Sequence, residues 1–229
     1  MPKRGTIIFD LDGTLVDSAP DLADALDSLL VERGHAPLGL DHTRRLIGHG
    51  MAELVRKGLQ VRGETLDTAS LASAVTGFLE HYTPNLSRRS FPYPHTVETL
   101  TKLASDGLRL VVCTNKLEAS ARKLLSDHGL LRFFSRVAGP DTFGVAKPDP
   151  AHLLHCLPHG GPAIMVGDSE PDILAAKAAH LPVIGVAWGY AQRPLADIGP
   201  DAIALSMQEI PALVAQLILR KPAAIRSAP

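Results

Sequence analysis

The sequence predicts an α/β protein with a doubly wound, mainly parallel sheet and an inserted helical domain. Two patterns carry this prediction. Short apolar segments bounded by turn residues, such as TIIF at 6–9 and AIMVG at 163–167, are typical of strands buried on both faces of a sheet. Amphipathic segments of helix length separate such strands from about residue 93 onward, as right-handed βαβ units require.

The elements of the predicted core follow in order along the chain. A first strand at 6–9 precedes the inserted domain. Beyond that domain, helices at 96–107, 116–129 and 169–180 alternate with strands at 108–114, 163–167 and 182–187. Residues 201–205 are predicted as a further strand and 207–219 as a closing helix, and the tail at 220–229 is expected to fray.

The segment between the first strand and residue 93 lacks this alternation. Its apolar residues recur with helical period at 19–34, 41–48, 51–60 and 69–82, with no convincing strand among them. The prolines of SFPYPHT at 90–96 fix φ and form a stiff connector back to the core. We therefore expect a core domain of residues 1–16 and 94–229 and an inserted helical domain of residues 17–93.

Composition excludes several classes of protein. A chain of 229 residues with 45% hydrophobic residues can bury a sizeable core, and a net charge of −1 gives no field that would attract nucleic acid. The two cysteines, Cys113 and Cys156, lie in apolar segments and are expected as reduced thiols of a cytoplasmic protein. No apolar run suits a signal peptide or a membrane span. We expect a monomer or a homodimer without membrane or nucleic-acid partners.

Polar side chains follow the predicted strands at the edge where ligands of open α/β sheets bind. Two carboxylates about 4 Å apart repel by roughly 4 kcal/mol at an effective dielectric of about 20, so the acidic residues among them need a nearby cation. The side chains expected to converge are Asp10, Asp12, Thr114, Asn115, Lys147, Asp168 and Asp172.

This set of side chains suits phosphoryl transfer. Hard carboxylate oxygens bind Mg²⁺, and the metal together with a lysine neutralises a phosphate that the carboxylates alone would repel. An aspartate can also act as nucleophile and form an aspartyl phosphate. Asp10 and Asp12 lie two apart on an extended chain, so both face the same substrate. The expected ligands are Mg²⁺ and a small phosphorylated metabolite.

Four motifs in this order resemble the haloacid dehalogenase superfamily. They are DLDGTLVDS at 10–18, VVCTN at 111–115, KPDP at 147–150 and GDSEPD at 167–172. The resemblance implies a Rossmann-like core and an inserted α-helical cap that closes over the sheet edge and excludes water. Relatives usually have glycine where this chain has His95 and His180, and histidine tolerates a left-handed backbone better than most residues.

The resemblance also implies roles at the matching positions of the acidic motifs. Asp10 would be the nucleophile and a metal ligand. Asp12 would be the general acid and base, and its backbone carbonyl would bind Mg²⁺. Asp168 would complete the protein ligands, and Asp172 would support the metal site from behind. An alternative for Asp168 and Asp172 is to cap the helix that begins near Ser169, and both functions are compatible.

The remaining core motifs imply phosphate contacts. Thr114 and Asn115 would form hydrogen bonds with the transferring phosphoryl group, and Lys147 would pair with the phosphate and the nucleophile. These roles come from the resemblance alone.

Shorter matches resemble phosphoglycolate phosphatases in particular. They are RRLIGHG at 44–50, FPYP at 91–94 and VAWGY at 186–190. By this resemblance Arg45, Gly48 and His49 would meet the non-phosphorylated end of the substrate, and an arginine suits a small carboxylate. The leading substrate is therefore 2-phosphoglycolate.

Three alternatives remain open from the sequence. The enzyme could act on another small substrate such as a sugar phosphate, or resemble a β-phosphoglucomutase, although GHGMAE at 48–53 lacks the serine and arginine expected after the glycine. A catalytically silent module that binds a phosphorylated ligand is the non-enzymatic alternative.

Overall fold

The structure, a computed structural model, describes residues 5–158 and 161–220. The tail that the sequence predicts to fray lies outside the described residues from 221 onward. Eight strands occur in the described part of the chain: β1 (Thr6–Phe9), β2 (Val16–Asp17), β3 (Phe91–Pro92), β4 (Arg109–Cys113), β5 (Arg136–Ala138), β6 (Ala163–Gly167), β7 (Val183–Val186) and β8 (Ala202–Ala204).

Six of these strands form one parallel sheet in the order β5-β4-β1-β6-β7-β8. This arrangement confirms the predicted doubly wound, parallel core. Strand β5 was not among the predicted strands. It has three residues, begins at the exposed Arg136 and lies at the sheet edge, so it offers no apolar run for a sequence pattern to detect.

Register within the sheet decides where the polar residues emerge. In β1, Phe9 pairs with Val112 of β4 on one side and with Val166 of β6 on the other. The three strands therefore end at nearly the same level. From β1 the strand order continues through β4 and β5 on one side and through β6, β7 and β8 on the other. The connections therefore diverge at β1, and a crevice opens there at the carboxyl edge of the sheet.

Eleven α-helices accompany the strands in the described residues. They are α1 (Ala19–Glu32), α2 (Leu40–Arg44), α3 (Met51–Val61), α4 (Thr68–Asn85), α5 (Thr96–Ser105), α6 (Glu118–Asp127), α7 (Pro140–Phe143), α8 (Pro150–Cys156), α9 (Glu170–Ala178), α10 (Leu195–Ile198) and α11 (Ile210–Arg220), with 3₁₀ turns at Leu131–Phe133 and Met207–Glu209.

Side chains of β1 alternate between two apolar layers, as the period of a strand requires. Ile7 and Phe9 face the layer that includes α5, α6 and α11, whereas Ile8 faces the layer that includes α8, α9 and α10. All three side chains are fully buried. Both faces of the sheet are thus covered, which explains why the strands read as continuous apolar runs.

Helices α1 to α4 all lie between β2 and β3, and these two short strands pair with each other antiparallel. The chain therefore leaves the core and returns to it side by side. The helix predicted at 41–48 ends earlier than expected, at Arg44. Gly48 and Gly50 have φ values of 123° and 87°, which a helix cannot accommodate.

Two further predictions concern the backbone and the membrane. His95 and His180 adopt the left-handed backbone, with φ values of 66° and 57°, which histidine tolerates better than most residues. Within residues 5–158 and 161–220, no helix combines the length and the apolar character that crossing a membrane demands.

Candidate active site

Three carboxylates converge where β1 and β6 end. Asp10 follows β1 directly, Asp168 follows β6, and Asp172 lies in the first turn of α9. One oxygen from each lies within 4.8 Å of the others, and all three residues are buried. The sequence predicted that these residues would meet, and the common level of the two strand ends brings them together.

Lys147 lies at the centre of this acidic cluster. Its Nζ donates to Oδ1 of Asp10 at 2.8 Å, to Oδ1 of Asp172 at 2.6 Å and to the carbonyl oxygen of Cys113 at 2.7 Å. Its side chain is 1% exposed. All three N–H groups of the ammonium are used, so this lysine is the cation that the paired carboxylates required.

One ammonium does not balance three carboxylates. Burial raises the pKa of Asp10 to about 7 despite the opposing effect of Lys147, and Asp172 raises it further. Burial likewise raises the pKa of Asp168 well above its usual range, helped by the charges of Asp10 and Asp172. Two unbalanced negative charges therefore remain when all three carboxyl groups are ionised.

A divalent cation fits this surplus. Carboxylate oxygens are hard ligands of the kind that Mg²⁺ takes, and Oδ2 of Asp10 makes no hydrogen bond within the described residues. Asp172 is less suited to direct ligation, because its Oδ1 is held by Lys147 and its Oδ2 accepts from the backbone and hydroxyl of Ser169. The geometry thus separates Asp10 and Asp168, which could hold a metal, from Asp172, which orients their surroundings.

The Asp168 carboxylate is fixed from two sides. Thr14 Oγ1 donates to its Oδ1 at 2.9 Å, and the backbone nitrogen of Tyr190 donates to its Oδ2 at 2.7 Å. Gly189 packs so closely that a Cβ at this position would lie 2.2 Å from Cβ of Asp168. This carboxylate is therefore preorganised, and sequence reasoning did not single out Thr14, Gly189 or Tyr190 for that task.

Asp172 also performs the capping function considered from the sequence. Ser169 is the N-cap of α9, and the Oδ2 of Asp172 accepts from its backbone nitrogen at 3.0 Å in a capping box. The N-cap is Ser169 rather than Asp168. One carboxylate oxygen of Asp172 therefore fixes the start of α9, and the other accepts a hydrogen bond from Lys147.

Asp12 belongs to a separate ion pair. Lys116 Nζ donates to both carboxylate oxygens of Asp12 at 3.0 Å, and Ser18 Oγ donates to Oδ1 at 2.5 Å. The side chain of Lys116 is 4% exposed. Sequence reasoning missed this lysine, although it directly follows the VVCTN motif and its position at a strand end was the available signal.

A small cavity opens above these groups. Its volume of about 50 Å³ has room for about four water molecules, or a group with a similar number of non-hydrogen atoms. The core contributes five lining residues, and the segment between β2 and β3 contributes the remainder. The lining residues are Asp10, Asp12, Thr114, Asn115, Lys116, Leu22, Ile47, Gly48, Gly50, Met51, Leu54 and Tyr82.

Asn115 joins the inserted segment to the core. Its Nδ2 donates to the carbonyl oxygens of Gly48 at 3.2 Å and Lys147 at 3.0 Å, and its Oδ1 accepts from the Lys147 backbone at 2.9 Å. A Cβ on Gly50 would lie 3.2 Å from the Asn115 carbonyl oxygen. The Asn115 side chain thus holds two loops together, and its predicted bond to a phosphoryl group has no free amide N–H in this arrangement.

The three residues of segment 44–50 that were predicted to contact the substrate occupy different positions relative to the cavity. Gly48 lines the cavity, whereas His49 lines an adjoining pocket beside Ser169. Arg45 is exposed and does not line the cavity, so the structure gives no support to its predicted substrate contact. Adjacent residues of an α-helix are rotated by about 100° from each other, and the neighbouring Arg44 instead donates from its Nη2 to Asp17 Oδ2 at 2.6 Å.

An acidic crevice at the switch point of a parallel sheet, covered by a helical insertion, is the arrangement of an α/β enzyme that acts on a small charged molecule. The sequence model of the haloacid dehalogenase-like hydrolases matches residues 7–186. The chain therefore belongs to the haloacid dehalogenase-like hydrolase family, which confirms the resemblance of the four motifs.

Individual relatives extend this similarity over most of the chain. The phosphoglycolate phosphatase of Mesorhizobium japonicum is 38% identical and is covered over 98% of its length by 95% of this chain. That of Rhodospirillum rubrum is 41% identical, with 89% of this chain and 87% of the relative covered. A crystal structure of a predicted phosphoglycolate phosphatase from Haemophilus somnus 129PT is similar with a TM-score of 0.82 and 29% identity, over 93% of this chain and 99% of the other.

Proposed function

We propose that this enzyme is a Mg²⁺-dependent phosphatase that hydrolyses 2-phosphoglycolate to glycolate and phosphate through an aspartyl phosphate on Asp10. The observation that carries this proposal is the buried cluster of Asp10, Asp168 and Lys147 beneath a cavity of about 50 Å³. Relatives that bear the name phosphoglycolate phosphatase support the choice of substrate.

Asp10 is suited to the role of nucleophile. Its Oδ1 is held by Lys147 at 2.8 Å, whereas the cavity reaches the residue and its Oδ2 makes no hydrogen bond within the described residues. One carboxylate oxygen of Asp10 would attack phosphorus, forming an O–P bond while the P–O bond to the leaving group breaks, and the other would help to hold the metal. Lys147 keeps the attacking carboxylate oriented, and burial keeps competing water away.

Asp12 is suited to moving protons between the two steps. Both Asp10 and Asp12 line the cavity, so both address one substrate. In the first step Asp12 would give its proton to the departing alkoxide oxygen. In the second step it would take a proton from a water that attacks phosphorus, which breaks the O–P bond and restores the Asp10 carboxylate. Such general acid and base help contributes on the order of 10² to 10⁴ in rate.

Mg²⁺ would be held by the carboxylates of Asp10 and Asp168, with the backbone carbonyl of Asp12 as a third protein ligand. When bound, it supplies positive charge that neutralises the phosphate oxygens. Thr14 and the Tyr190 backbone hold Asp168 ready for this task. Thr114 lines the cavity, and its hydroxyl would donate a hydrogen bond to the phosphoryl group.

We also propose that residues 17–93 act as a cap that covers the site. Gly48 and Gly50 contact Asn115, so the 48–50 loop rests directly on the motif that follows β4. Closure of this kind excludes water and limits the size of the substrate. The paired strands β2 and β3 are the hinge through which the cap would move.

The decisive experiment measures kcat/KM for a panel of phosphorylated metabolites with and without Mg²⁺. We expect 2-phosphoglycolate to rank first, turnover to stop when the metal is chelated, and Asp10→Asn to be inactive. Asp24→Asn, an exposed aspartate paired with Arg89, is the matched control and should retain full activity. Mass spectrometry of quenched reactions should find phosphate on the peptide that contains Asp10.

Other results would point to the alternatives. Higher kcat/KM for sugar phosphates would reject 2-phosphoglycolate while leaving the chemistry in place, and net isomerisation of a sugar phosphate would indicate a phosphotransferase. Binding of phosphorylated ligands with no metal-dependent turnover would identify a silent binding module.

A further inference from the structure

The cavity contains a cation that the proposed chemistry does not use. Lys147 lies beneath the cavity and is fully occupied by Asp10, Asp172 and a backbone carbonyl. Among the described residues that line the cavity, Lys116 is the single basic side chain. The wall opposite the core is otherwise apolar, formed by Leu22, Ile47, Met51 and Leu54.

Lys116 retains a donor for a ligand. Its ammonium has three N–H groups, and two suffice for the oxygens of Asp12 at 3.0 Å each. Nζ lies 4.9 Å from the centroid of the Tyr82 ring. Burial alone would lower the pKa of Lys116, but the charge of the Asp12 carboxylate outweighs burial and raises the pKa. The ammonium is therefore a permanent charge in a site with little water to screen it.

Tyr82 supplies an independent sign of a missing ligand. This residue of α4 is 1% exposed and lines the cavity, yet its hydroxyl has no hydrogen-bond partner within the described part of the chain. A buried hydroxyl left without a partner costs about 1–3 kcal/mol. Burial raises the pKa of Tyr82 to about 12, so the hydroxyl stays protonated at neutral pH and can donate.

We propose that Lys116 and the hydroxyl of Tyr82 form a subsite that binds a carboxylate on the leaving group of the substrate. The inference rests on the proposed phosphatase function and adds to it the class of substrate: phosphomonoesters of small hydroxy acids. One carboxylate oxygen would accept from the third N–H of Lys116 and the other from Tyr82. The subsite joins one residue of the core to one of the cap, so it is complete only with the cap closed.

This assignment replaces the one expected from the sequence. Arg45 was the predicted contact for the non-phosphorylated end, but it is exposed and does not line the cavity. A purely structural ion pair between Lys116 and Asp12 would explain the position of the ammonium. It would leave the unpartnered hydroxyl of Tyr82 unexplained.

The first test needs no variant. We compare kcat/KM of the wild-type enzyme for 2-phosphoglycolate and for 2-hydroxyethyl phosphate, in which a hydroxymethyl group replaces the carboxylate. Loss of a charged partner in a desolvated site predicts a preference for 2-phosphoglycolate of roughly 10²-fold or more. A ratio near one in an enzyme that hydrolyses both would overturn the subsite and leave the phosphatase assignment standing.

The second test assigns the preference to the two residues. Lys116→Met removes the charge at similar length, and Tyr82→Phe removes only the hydroxyl. Lys116→Met will lower kcat/KM for both substrates because Asp12 loses its partner. The fall for 2-phosphoglycolate should be about tenfold or more greater than the fall for 2-hydroxyethyl phosphate. Tyr82→Phe should reduce the ratio of kcat/KM for 2-phosphoglycolate to kcat/KM for 2-hydroxyethyl phosphate by about three- to tenfold. Lys123→Met, an exposed lysine on α6, is the matched control and should leave the ratio unchanged.

The outcomes separate the two levels of inference. If the wild-type enzyme does not hydrolyse 2-phosphoglycolate but turns over other monoesters, the proposed substrate fails. If it prefers 2-phosphoglycolate and both variants slow the two substrates equally, the subsite fails and Lys116 only positions Asp12. Should Lys116→Met not fold, the wild-type comparison and Tyr82→Phe still decide the matter.

Discussion

The hydroxyl of Tyr190 donates a hydrogen bond to Oδ1 of Asp17 at 2.6 Å, and both side chains are buried. The same hydroxyl accepts from the backbone nitrogens of Ser18 and Ala19 at 2.9 and 3.0 Å, where α1 begins. The backbone nitrogen of Tyr190 meanwhile holds Asp168. One residue thus connects the acidic cluster with the strand through which the chain enters the inserted helices.

Replacing Tyr190 by phenylalanine removes these bonds while keeping the ring. We expect the free energy of unfolding to fall by about 2–3 kcal/mol, because a buried carboxylate and two N–H groups lose a partner. Urea denaturation monitored by circular dichroism measures the change. A loss below about 0.5 kcal/mol would show that Arg44, the other partner of Asp17, suffices to hold this junction.

Lys147→Met should abolish activity and destabilise the metal-free protein. Removing one partner of a buried ion pair costs about 3–5 kcal/mol, since the buried Asp10 and Asp172 would lose the ammonium that donates to both of them. Urea denaturation in the presence of a chelator measures this loss, and added Mg²⁺ should recover part of it.

The control for Lys147 is Lys123→Met. Lys123 is half exposed and pairs with Asp127 one helical turn away, so its loss should cost less than about 0.5 kcal/mol. Equal effects of the two substitutions would refute the central role of Lys147 in balancing the acidic cluster.

Gly189→Ala should weaken the metal site without replacing any of the proposed ligands. The new Cβ would lie 2.2 Å from Cβ and 2.5 Å from Cγ of Asp168, so that carboxylate must move. Displacing a ligand in this way typically costs about 10–100-fold in metal affinity. Titration of activity with Mg²⁺ gives the apparent affinity.

Gly77→Ala is the corresponding control in α4. Its added Cβ meets only the flexible end of Leu29 at 3.3 Å, and alanine is preferred to glycine in a helix by up to about 1 kcal/mol. It should leave the Mg²⁺ titration unchanged. An unchanged titration in Gly189→Ala as well would mean that Asp168 has more room than the packing indicates.

His152 should make the protein less stable in mild acid. It is fully buried, neither ring nitrogen has a partner among the described residues, and burial together with the charge of Lys147 lowers its pKa from 6.5 to about 4. Between about pH 4 and pH 6.5, His152 therefore binds a proton in the unfolded chain but not in the folded protein. This contribution to stability is complete above pH 6.5 and is lost as the pH falls towards 4, by up to about 3 kcal/mol.

The difference between wild type and His152→Leu isolates this effect from the nearby carboxylates. The free energy of unfolding of His152→Leu, followed from pH 7.5 to 4.5, should decline less steeply than that of the wild type. The same substitution at exposed His155 serves as the control. Parallel curves for wild type and His152→Leu would contradict the assigned titration.

Much of the core was predictable because its signals are local. The runs at 6–9, 163–167 and 182–187 and the polar residues after them place Asp10 and Asp168 at one edge once the strands are taken as parallel. The short edge strand β5 and the end of α2 at Arg44 were not predictable in the same way. The first has too few residues to show a period, and the second depends on glycine turns that lead the loop onto Asn115.

By itself the sequence determined the parallel core, the helical insertion and the acidic motifs, because apolar period and strand-end chemistry are properties of neighbouring residues. Only the tertiary structure decided which cation serves which carboxylate: Lys147 pairs with Asp10, and Lys116 with Asp12. It also brought Tyr82 of α4 to the ring–ammonium contact with Lys116 and left Arg45 outside the cavity. Such contacts join residues far apart in the chain, and the packing of helices on the sheet, rather than any local pattern, fixes their distances.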